Sequence, residues 1–432
     1  MKNSGIEWIG EIPEDWEVKK VKYIFSERKN KNIGTKEKNL LSLSYGKIVR
    51  KNITNMEGLI PESYETYNIL QPGDIVFRLT DLQNDKHSLR TGLCKEKGII
   101  TSAYTTVIPP KKVDPVYIHY LFHAYDNCKV FYNLGDGVRQ GMKYSDLCKL
   151  NIILPPKETQ QRIASYLDKK CSKIEETIQN QQQVIEKLKA YKQSLITEAV
   201  TGKVKIENGK VCGEYESYKD SGVEWIGKIP SEWEVKKLKY IADSFSKGSG
   251  ITKEEIVING DIPCVRYGEL YTKYDYHFTE CQTRTNLGII ETPKYFSHGD
   301  VLFTCTGELV EEIGKSIAYL GNEKCLAGGD IIVLKHSQDP MFMGFALDSK
   351  YVQGQKSFGK TKLKVVHISS GEIARLLIVL PPKEEQKEIA DYLDKKCTAI
   401  DTAIEQKQKL IEKLTEYKKS LIYECVTGKK VI

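Results

Sequence analysis

Two stretches of this chain are written twice, and that repetition limits the fold more than any local pattern does. Ser4 to Ile24 (SGIEWIGEIPEDWEVKKVKYI) matches Ser221 to Ile241 (SGVEWIGKIPSEWEVKKLKYI) at 16 of 21 positions, with an offset of 217 residues. Ile153 to Lys203 matches Val379 to Lys429 at 31 of 51 positions, with an offset of 226. Between the blocks only anchors survive: Gly73-Asp74-Ile75-Val76-Phe77 against Gly299-Asp300-Val301-Leu302-Phe303, and Asp114-Pro115 against Asp339-Pro340. A chain needing two copies of one active site keeps both interiors alike. One that recognises two different things on one scaffold keeps the frame and varies the contents, as here. The order is also circular: VTGKKVI stops where the mid-chain copy runs on through Glu207 to Asp220 into SGVEWIG, and the N-terminus opens with SGIEWIG.

Each variable region reads as mixed α/β with many short strands. QPGDIVFRL and HGDVLFTCT have the form of a turn entering a buried strand; IITSAYTTVIPP, GGDIIVLK, DLCKLNIILPP and EIARLLIVLPP supply further strands. Asp114-Pro115 and Asp339-Pro340 read as an N-cap followed by proline in the first helical turn. The helices that follow should carry Tyr117, Ile118, Tyr120 and Leu121 in one copy, and Phe342, Phe345 and Leu347 in the other.

After Pro155-Pro156 a helical pattern runs to about Val200 without Gly or Pro. Leu167, Cys171, Ile174, Ile178, Gln181, Ile185, Leu188, Lys192, Leu195 and Ala199 alternate spacings of four and three, the seam of a coiled coil. Leu393, Cys397, Ile400, Ile404, Lys407, Ile411, Leu414, Lys418, Leu421 and Cys425 repeat it. Each pattern ends at Thr-Gly-Lys, where glycine suits a left-handed cap. About 40 residues at ~1.5 Å each make a rod of ~60 Å, longer than one ~34 Å turn of B-DNA. Two matched apolar stripes in one chain most economically bury each other, with Gln181, Lys192, Lys407 and Lys418 fixing register. The competing reading packs each helix on its own globular domain or on another chain.

At 432 residues there is chain for several cores. No apolar run approaches the ~20 residues that span a bilayer. Trp8, Pro13 and Asp15 interrupt the N-terminal stretch where a secretion signal needs an apolar run, so a cytoplasmic location is expected. Eleven cysteines, an odd number with no CxxC, read as reduced thiols. The net charge of +7 favours a polyanionic partner without demanding one.

The IPxxW opening of each half (Ile12-Pro13 with Trp16; Ile229-Pro230 with Trp233), the LPPKExQ strand exit (Leu154 to Gln160; Leu380 to Gln386) and the long helix ending LIxExVTGK occur twice, in order, around dissimilar inserts. In these motifs the whole chain resembles the specificity (HsdS-type) subunit of type I restriction-modification systems. The resemblance implies an α+β fold: two mixed α/β target recognition domains related by pseudo-two-fold symmetry, separated by two long antiparallel coiled-coil helices. On this sequence that divides into recognition domain 1 (1–155), spacer helix 1 (156–206), a linker (207–220), recognition domain 2 (221–381) and spacer helix 2 (382–432). It further implies that each domain reads one half of a bipartite asymmetric site in double-stranded DNA. The implied partners are two modification subunits, which use S-adenosylmethionine to methylate adenine at N6, and restriction subunits that use ATP and magnesium. No cofactor, metal or catalytic residue is expected in this chain. The reading from another class is a structural adaptor whose variable domains bind other proteins.

Base readout favours Arg on guanine and Asn or Gln on adenine, with Lys, Ser, Thr and Tyr on phosphates. Candidates in the first variable region are Arg78, Thr80, Lys86, His87 and Arg90, then Arg139, Gln140, Lys143 and Tyr144 in the stretch GDGVRQGMKYSDL. In the second they are Arg266, Tyr267 and Arg284, then Lys356, Lys360, Thr361 and Lys362 in QGQKSFGKTKLK. The helix–helix seam is assigned to Leu167, Ile174, Ile178, Ile185, Leu188, Leu195, Leu393, Ile400, Ile404, Ile411, Leu414 and Leu421. Two patterns are lures. GQKSFGKT fits the phosphate-loop form, but the sequence before it reads as helix, not strand. His119 and His123 are spaced for a metal but have no third ligand nearby, and read as packing residues.

Overall fold

The structure, a computed structural model, describes residues 1–51, 63–80, 82, 89–133, 141–290, 292–361 and 365–432. It divides into two compact units: Met1–Gln182 with Gln408–Ile432, and Gln183–Lys407.

The repeated blocks build the same frame in each unit. In the first, Glu17–Lys20 pairs antiparallel with Asn151–Leu154, Val18 facing Ile153. In the second, Glu234–Lys237 pairs with Leu377–Leu380, and Val235 faces Val379, the repeat counterparts of the first pair. Identical blocks therefore make the ladder in identical register. The proline pair that leaves each ladder cannot continue it, and a helix begins at once.

Between the frame strands the units share one sheet plan, which the second extends. The first carries a four-stranded antiparallel sheet in the order Ser26–Glu27, Thr105–Ile108, Ile75–Phe77, Thr91–Leu93. The second carries five strands in the order Ala242–Lys247, Ile331–His336, Val301–Thr304, Ser316–Tyr319, His277–Phe278. Beside it is a four-stranded sheet in which Ile262–Val265 lies parallel to Cys325–Ala327 and antiparallel to Thr283–Thr285. Its counterpart in the first unit is Leu41–Ser44, paired with Lys47–Arg50 and flanked by the parallel bridge from Leu40 to Ile99 of the strand Gly98–Ile100. The shared Gly-Asp turn survives because of what it does. Gly73 and Gly299 sit at φ +94° and +90°, and the next Asp takes a backbone N–H three residues back, from Gln71 at 2.7 Å and Ser297 at 2.9 Å.

Helix α1 spans Pro115–Asn127, α2 Lys157–Val200, α3 Pro340–Leu347 and α4 Lys383–Val426. The expected caps form: Asp114 Oδ1 accepts from the amides of Val116 (2.9 Å) and Tyr117 (3.0 Å), and Asp339 Oδ1 from that of Phe342 (2.8 Å). Tyr117, Ile118, Leu121, Phe342, Phe345 and Leu347 are all buried. Helices α2 and α4 are each 44 residues long and each is divided between the units.

The seam residues enter the core of the unit they belong to. In the first unit Leu167, Ile174 and Ile178 from α2 share one apolar cluster with Leu414 and Leu421 from α4, together with Trp16, Tyr117 and Ile153. In the second, Leu188 and Leu195 from α2 cluster with Leu393, Ile400 and Ile404 from α4 around Trp233 and Phe345. Ile185 is buried and Ile411 half-buried. The two readings weighed for the helices thus combine: they pair with each other and also pack on the domain they leave or enter. Two of the four polar seam positions, Lys192 and Lys418, make ion pairs related by the repeat. Lys418 Nζ meets Glu175 at 2.5 Å in the first unit, and Lys192 Nζ meets Asp401 at 2.7 Å in the second. A late position of one helix meets an early position of the other, so the helices run antiparallel.

Glu207 to Asp220, expected as a polar linker, is more ordered than that. Lys205–Glu207 and Lys210–Gly213 form a hairpin, closed by Asn208 and Gly209 at φ 51° and 70°. Asn-Gly is the dipeptide that such a turn selects.

Candidate nucleic-acid interface

The frame holds each variable domain through the same helix positions. Gln160, third along the LPPKExQ exit from the helix start, is buried; its Oε1 accepts the Asp114 amide at 2.8 Å and its Nε2 donates to the Pro155 carbonyl at 2.8 Å. Its counterpart Gln386 does the same for Asp339 (3.0 Å) and Pro381 (2.9 Å). A buried amide that satisfies two backbone groups explains why the motif keeps Gln. Asp168 accepts from the hydroxyl of Tyr120 at 2.7 Å, while its counterpart Asp394 faces His277 Nε2 at 2.8 Å. The same helix position thus grips different side chains in the two domains.

The helix ends repeat the pattern. Gly202 (φ +70°) lies on Pro230 and Trp233, and Gly428 (φ +74°) on Pro13 and Trp16. Lys203 Nζ donates to the Lys228 carbonyl at 2.6 Å, and Lys429 Nζ to that of Glu11 at 2.6 Å. The circular order of the sequence is therefore met in space: the first unit is closed by the end of the chain, as the second is closed by its middle.

In the first unit, Arg78 is half-buried and Thr80 exposed. The Met142 amide donates to the Leu79 carbonyl at 2.8 Å, bringing the stretch with exposed Lys143 beside them. Tyr144 is half-buried, with its hydroxyl spent on the Phe25 carbonyl at 3.0 Å. Arg90 is a correction. It is fully buried, its Nη1 donating to the Thr80 carbonyl at 3.1 Å and its guanidinium carbon 5.7 Å from the centre of the Tyr132 ring, so it braces the loop from within. Lys86, His87, Arg139 and Gln140 lie outside the described residues, as does Lys362 of the second unit.

In the second unit two lysines of the glycine-basic stretch turn inward, again a correction, although the stretch itself is exposed at Gly354, Phe358 and Gly359. Lys356 is 1% exposed, with Nζ donating to the Gly314 carbonyl at 2.6 Å and to Ser316 Oγ at 3.1 Å. Burial pulls its ammonium down to about 8 against the opposing pull of Asp348. Lys360 Nζ donates to the His367 carbonyl at 2.6 Å and to Glu372 at 2.8 Å. Burial raises the Glu372 carboxyl, but Lys360 and Ser369 outweigh it and hold it at about 2. Thr361 is exposed. The phosphate-loop pattern here begins inside the helix Lys350–Ser357, and its lysine is occupied by a carboxylate, so the letters do not make a nucleotide cradle.

Arg266 and Tyr267 share a cleft that Arg284 does not line. Pro263 faces Arg284 across paired strands, and Arg284 turns back onto its own support, Nε to the Gly260 carbonyl at 2.8 Å. Arg266 and the 41%-exposed Tyr267 border a cleft of about 590 Å³ also lined by Thr252, Lys273, Gly328 and Gly329. Sequence reading missed those last four; the Gly-Gly before a strand is the one signal that could have marked them.

His119 and His123 stack with ring centres 4.0 Å apart, and His123 Nε2 lies 3.0 Å from the Thr91 carbonyl. Burial depresses both imidazoles, His123 to about 4. Among the described residues no group of three or more His, Cys, Asp or Glu side chains gathers to hold a metal, and no helix is long and apolar enough to cross a membrane.

A frame duplicated to the level of single hydrogen bonds, carrying two domains of one sheet plan and unlike sequence, defines a two-headed recognition protein. The family model described as "Type I restriction modification DNA specificity domain" matches residues 13–187 and again 230–415, starting at the two IPxxW prolines. A Methanocaldococcus jannaschii relative ascribed to the MjaX type I restriction enzyme as its specificity subunit is 26% identical over 98% of this chain and 95% of its own length. The MjaVIII specificity subunit of the same organism is 25% identical over 77% of this chain and 75% of its own. A chain from the solved assembly described as "Structural basis underlying complex assembly and conformational transition of the type I R-M system" shares the fold, with a TM-score of 0.68 over 97% of this chain and all of that one at 14% identity. This chain belongs to the specificity-subunit family of type I restriction-modification systems.

Proposed function

We propose that each variable domain reads one half of a bipartite, asymmetric site in double-stranded DNA, and that the paired helices set the gap between the halves. The observation that carries this reading is the contrast within the chain. Gln160 and Gln386, or Lys203 and Lys429, make the same bonds in both units, while the inserts they hold share little sequence beyond isolated anchors and the second central sheet carries a fifth strand. Selection for one chemistry performed twice would not leave that pattern, whereas selection for two separate words on one ruler would.

The partners in this reading are two copies of a methyltransferase that modifies adenine at N6 with S-adenosylmethionine, and restriction subunits that use ATP and magnesium; this chain is non-catalytic. Duplicated surface aromatics support a partner present twice. Tyr23 and Tyr240 are 68% and 70% exposed, and Tyr191 and Tyr417 are 57% and 52% exposed. They are two pairs of repeat counterparts, and each unit holds one member of each pair.

Long-read sequencing of DNA exposed to this chain with its methyltransferase tests the proposal. The expected result is an interrupted motif with methyl-adenine on both strands. Affinity for that motif should fall with salt at a logarithmic slope of ~−0.9 per phosphate contacted. A complex that binds DNA without salt dependence, or not at all, would instead favour a protein-binding adaptor.

A further inference from the structure

We propose that Arg266 reads a guanine in the half-site of the second unit, an assignment that rests on the DNA-reading function above and names one of its contacts. The cleft beside Arg266 has walls of bare backbone. Gly250 and Gly268 face open space, since a Cβ on either meets nothing within 4 Å. On the other wall, a Cβ on Gly328 would stand 3.0 Å from the Val265 carbonyl oxygen and 3.1 Å from Arg266 Cα, and one on Gly329 would stand 3.3 Å from Gly250 Cα. Glycines here let three segments approach closely while leaving a groove between them, with Tyr267 exposed at its border.

Arg266 follows directly on the strand Ile262–Val265, which is paired on both sides, so its backbone is held on a rigid platform. The nearest acid in sequence does not occupy it. Glu269 gives Oε1 to Lys273 Nζ (2.7 Å) and Oε2 to the Arg266 backbone amide (2.9 Å) and Thr283 Oγ1 (2.9 Å). Arg266 Nε is shielded from solvent and has no hydrogen-bond partner among the described residues. A shielded polar nitrogen without a partner is uncommon in folded proteins and calls for an explanation, which a base seated on the guanidinium supplies. Arg284, by contrast, spends its Nε on the Gly260 carbonyl, and Lys356 and Lys360 spend their ammoniums on carbonyls of their own unit.

A planar fork with unspent donors beside a groove of bare backbone matches the paired acceptors N7 and O6 of guanine in the major groove. A phosphate contact fits less well, because Glu269 and the exposed carboxylate of Asp330 line the same cleft and repel an anion.

Once the motif is known, the full complex is titrated with duplexes in which each guanine of the half-sites is replaced in turn by 7-deazaguanine, which lacks the N7 acceptor. For the wild type, one position in one half-site should lose about tenfold in affinity through this contact. Arg266→Ala should bind the unmodified duplex more weakly and be indifferent to that one replacement, while keeping the wild-type response at every other guanine. Arg266→Met keeps the length of the side chain but not its donors, and should give the same loss of discrimination; it stands in should the alanine variant fail to fold. Equal sensitivity of wild type and variant at every guanine, or a half-site without guanine, overturns the assignment alone. A wild-type complex with no bipartite motif overturns the functional reading beneath it.

Discussion

Gly202 and Gly222 separate two costs that one added methyl group imposes. Both lie in the left-handed region, at φ +70° and +72°. A Cβ on Gly222 meets nothing within 4 Å, whereas one on Gly202 stands 2.3 Å from Pro230 Cδ, 2.5 Å from its Cγ and 3.1 Å from the Trp233 ring. The conformational cost, ~1–2 kcal/mol for an L-residue in this region, is common to both. The collision belongs to Gly202 alone. Carbons rest ~3.5–4.0 Å apart, so the helix end or the rigid proline ring must move by more than ~1 Å, an overpacking worth ~1–3 kcal/mol. Gly202→Ala should therefore lose ~2–5 kcal/mol, and Gly222→Ala no more than ~2 kcal/mol. Gly428→Ala, whose Cβ would stand 2.5 Å from Pro13 Cδ, should behave as Gly202→Ala does. Urea denaturation followed by tryptophan fluorescence reads the loss, since Trp16 and Trp233 are buried at these two joints. If Gly202→Ala and Gly222→Ala unfold at the same urea concentration with the same m-value, the joint is not packed as described.

Three further outcomes are expected. Gln386→Leu strands the buried amide of Asp339 and carbonyl of Pro381, and should cost about 2–5 kcal/mol for the two orphaned groups; an unchanged melting temperature would show that those groups find other partners. Burial holds the His123 imidazole at about 4, so the unfolded chain takes up that proton first and stability should fall as pH drops from ~6.5 towards 4. His123→Gln should flatten that part of the stability–pH curve, and a curve that keeps its slope would assign the effect elsewhere. A double-mutant cycle on Lys192 and Asp401, whose side chains are 12% and 40% exposed, should give a coupling of about 0.5–1 kcal/mol that shrinks with added salt; zero coupling at low salt would remove the pair as a register device.

What the sequence made legible was local or repeated. The N-caps at Asp114 and Asp339 need two or three neighbouring residues to form, and the pattern DP followed by aromatics displays them all. The seam of α2 and α4 was visible because a spacing sustained over many turns has one geometric meaning. Strand order was not visible: Ile262–Val265 finds a parallel partner in Cys325–Ala327 across a span that no local signal bridges. The candidate DNA-reading residues suffered from the same blindness. Lys356 and Arg90 carry charge in glycine-bearing stretches, which suggests a surface loop, yet each is drawn inward by carbonyls its own neighbours do not supply, Gly314 for one and Thr80 for the other. The cleft beside Arg266 was hidden because its glycines come from three separate segments.

The closure of the first unit by Gln408–Ile432 has a consequence on the ribosome. The unit whose synthesis starts first is completed last: Trp16, Tyr117 and Ile153 wait for Leu421, Cys425 and Val426 to emerge before their shared core is filled. The second unit, continuous from Gln183 to Lys407, is fully translated by then. Nascent protein that has emerged as far as Lys407 should therefore hold one finished head and one sticky, unfinished one, a natural client for chaperones.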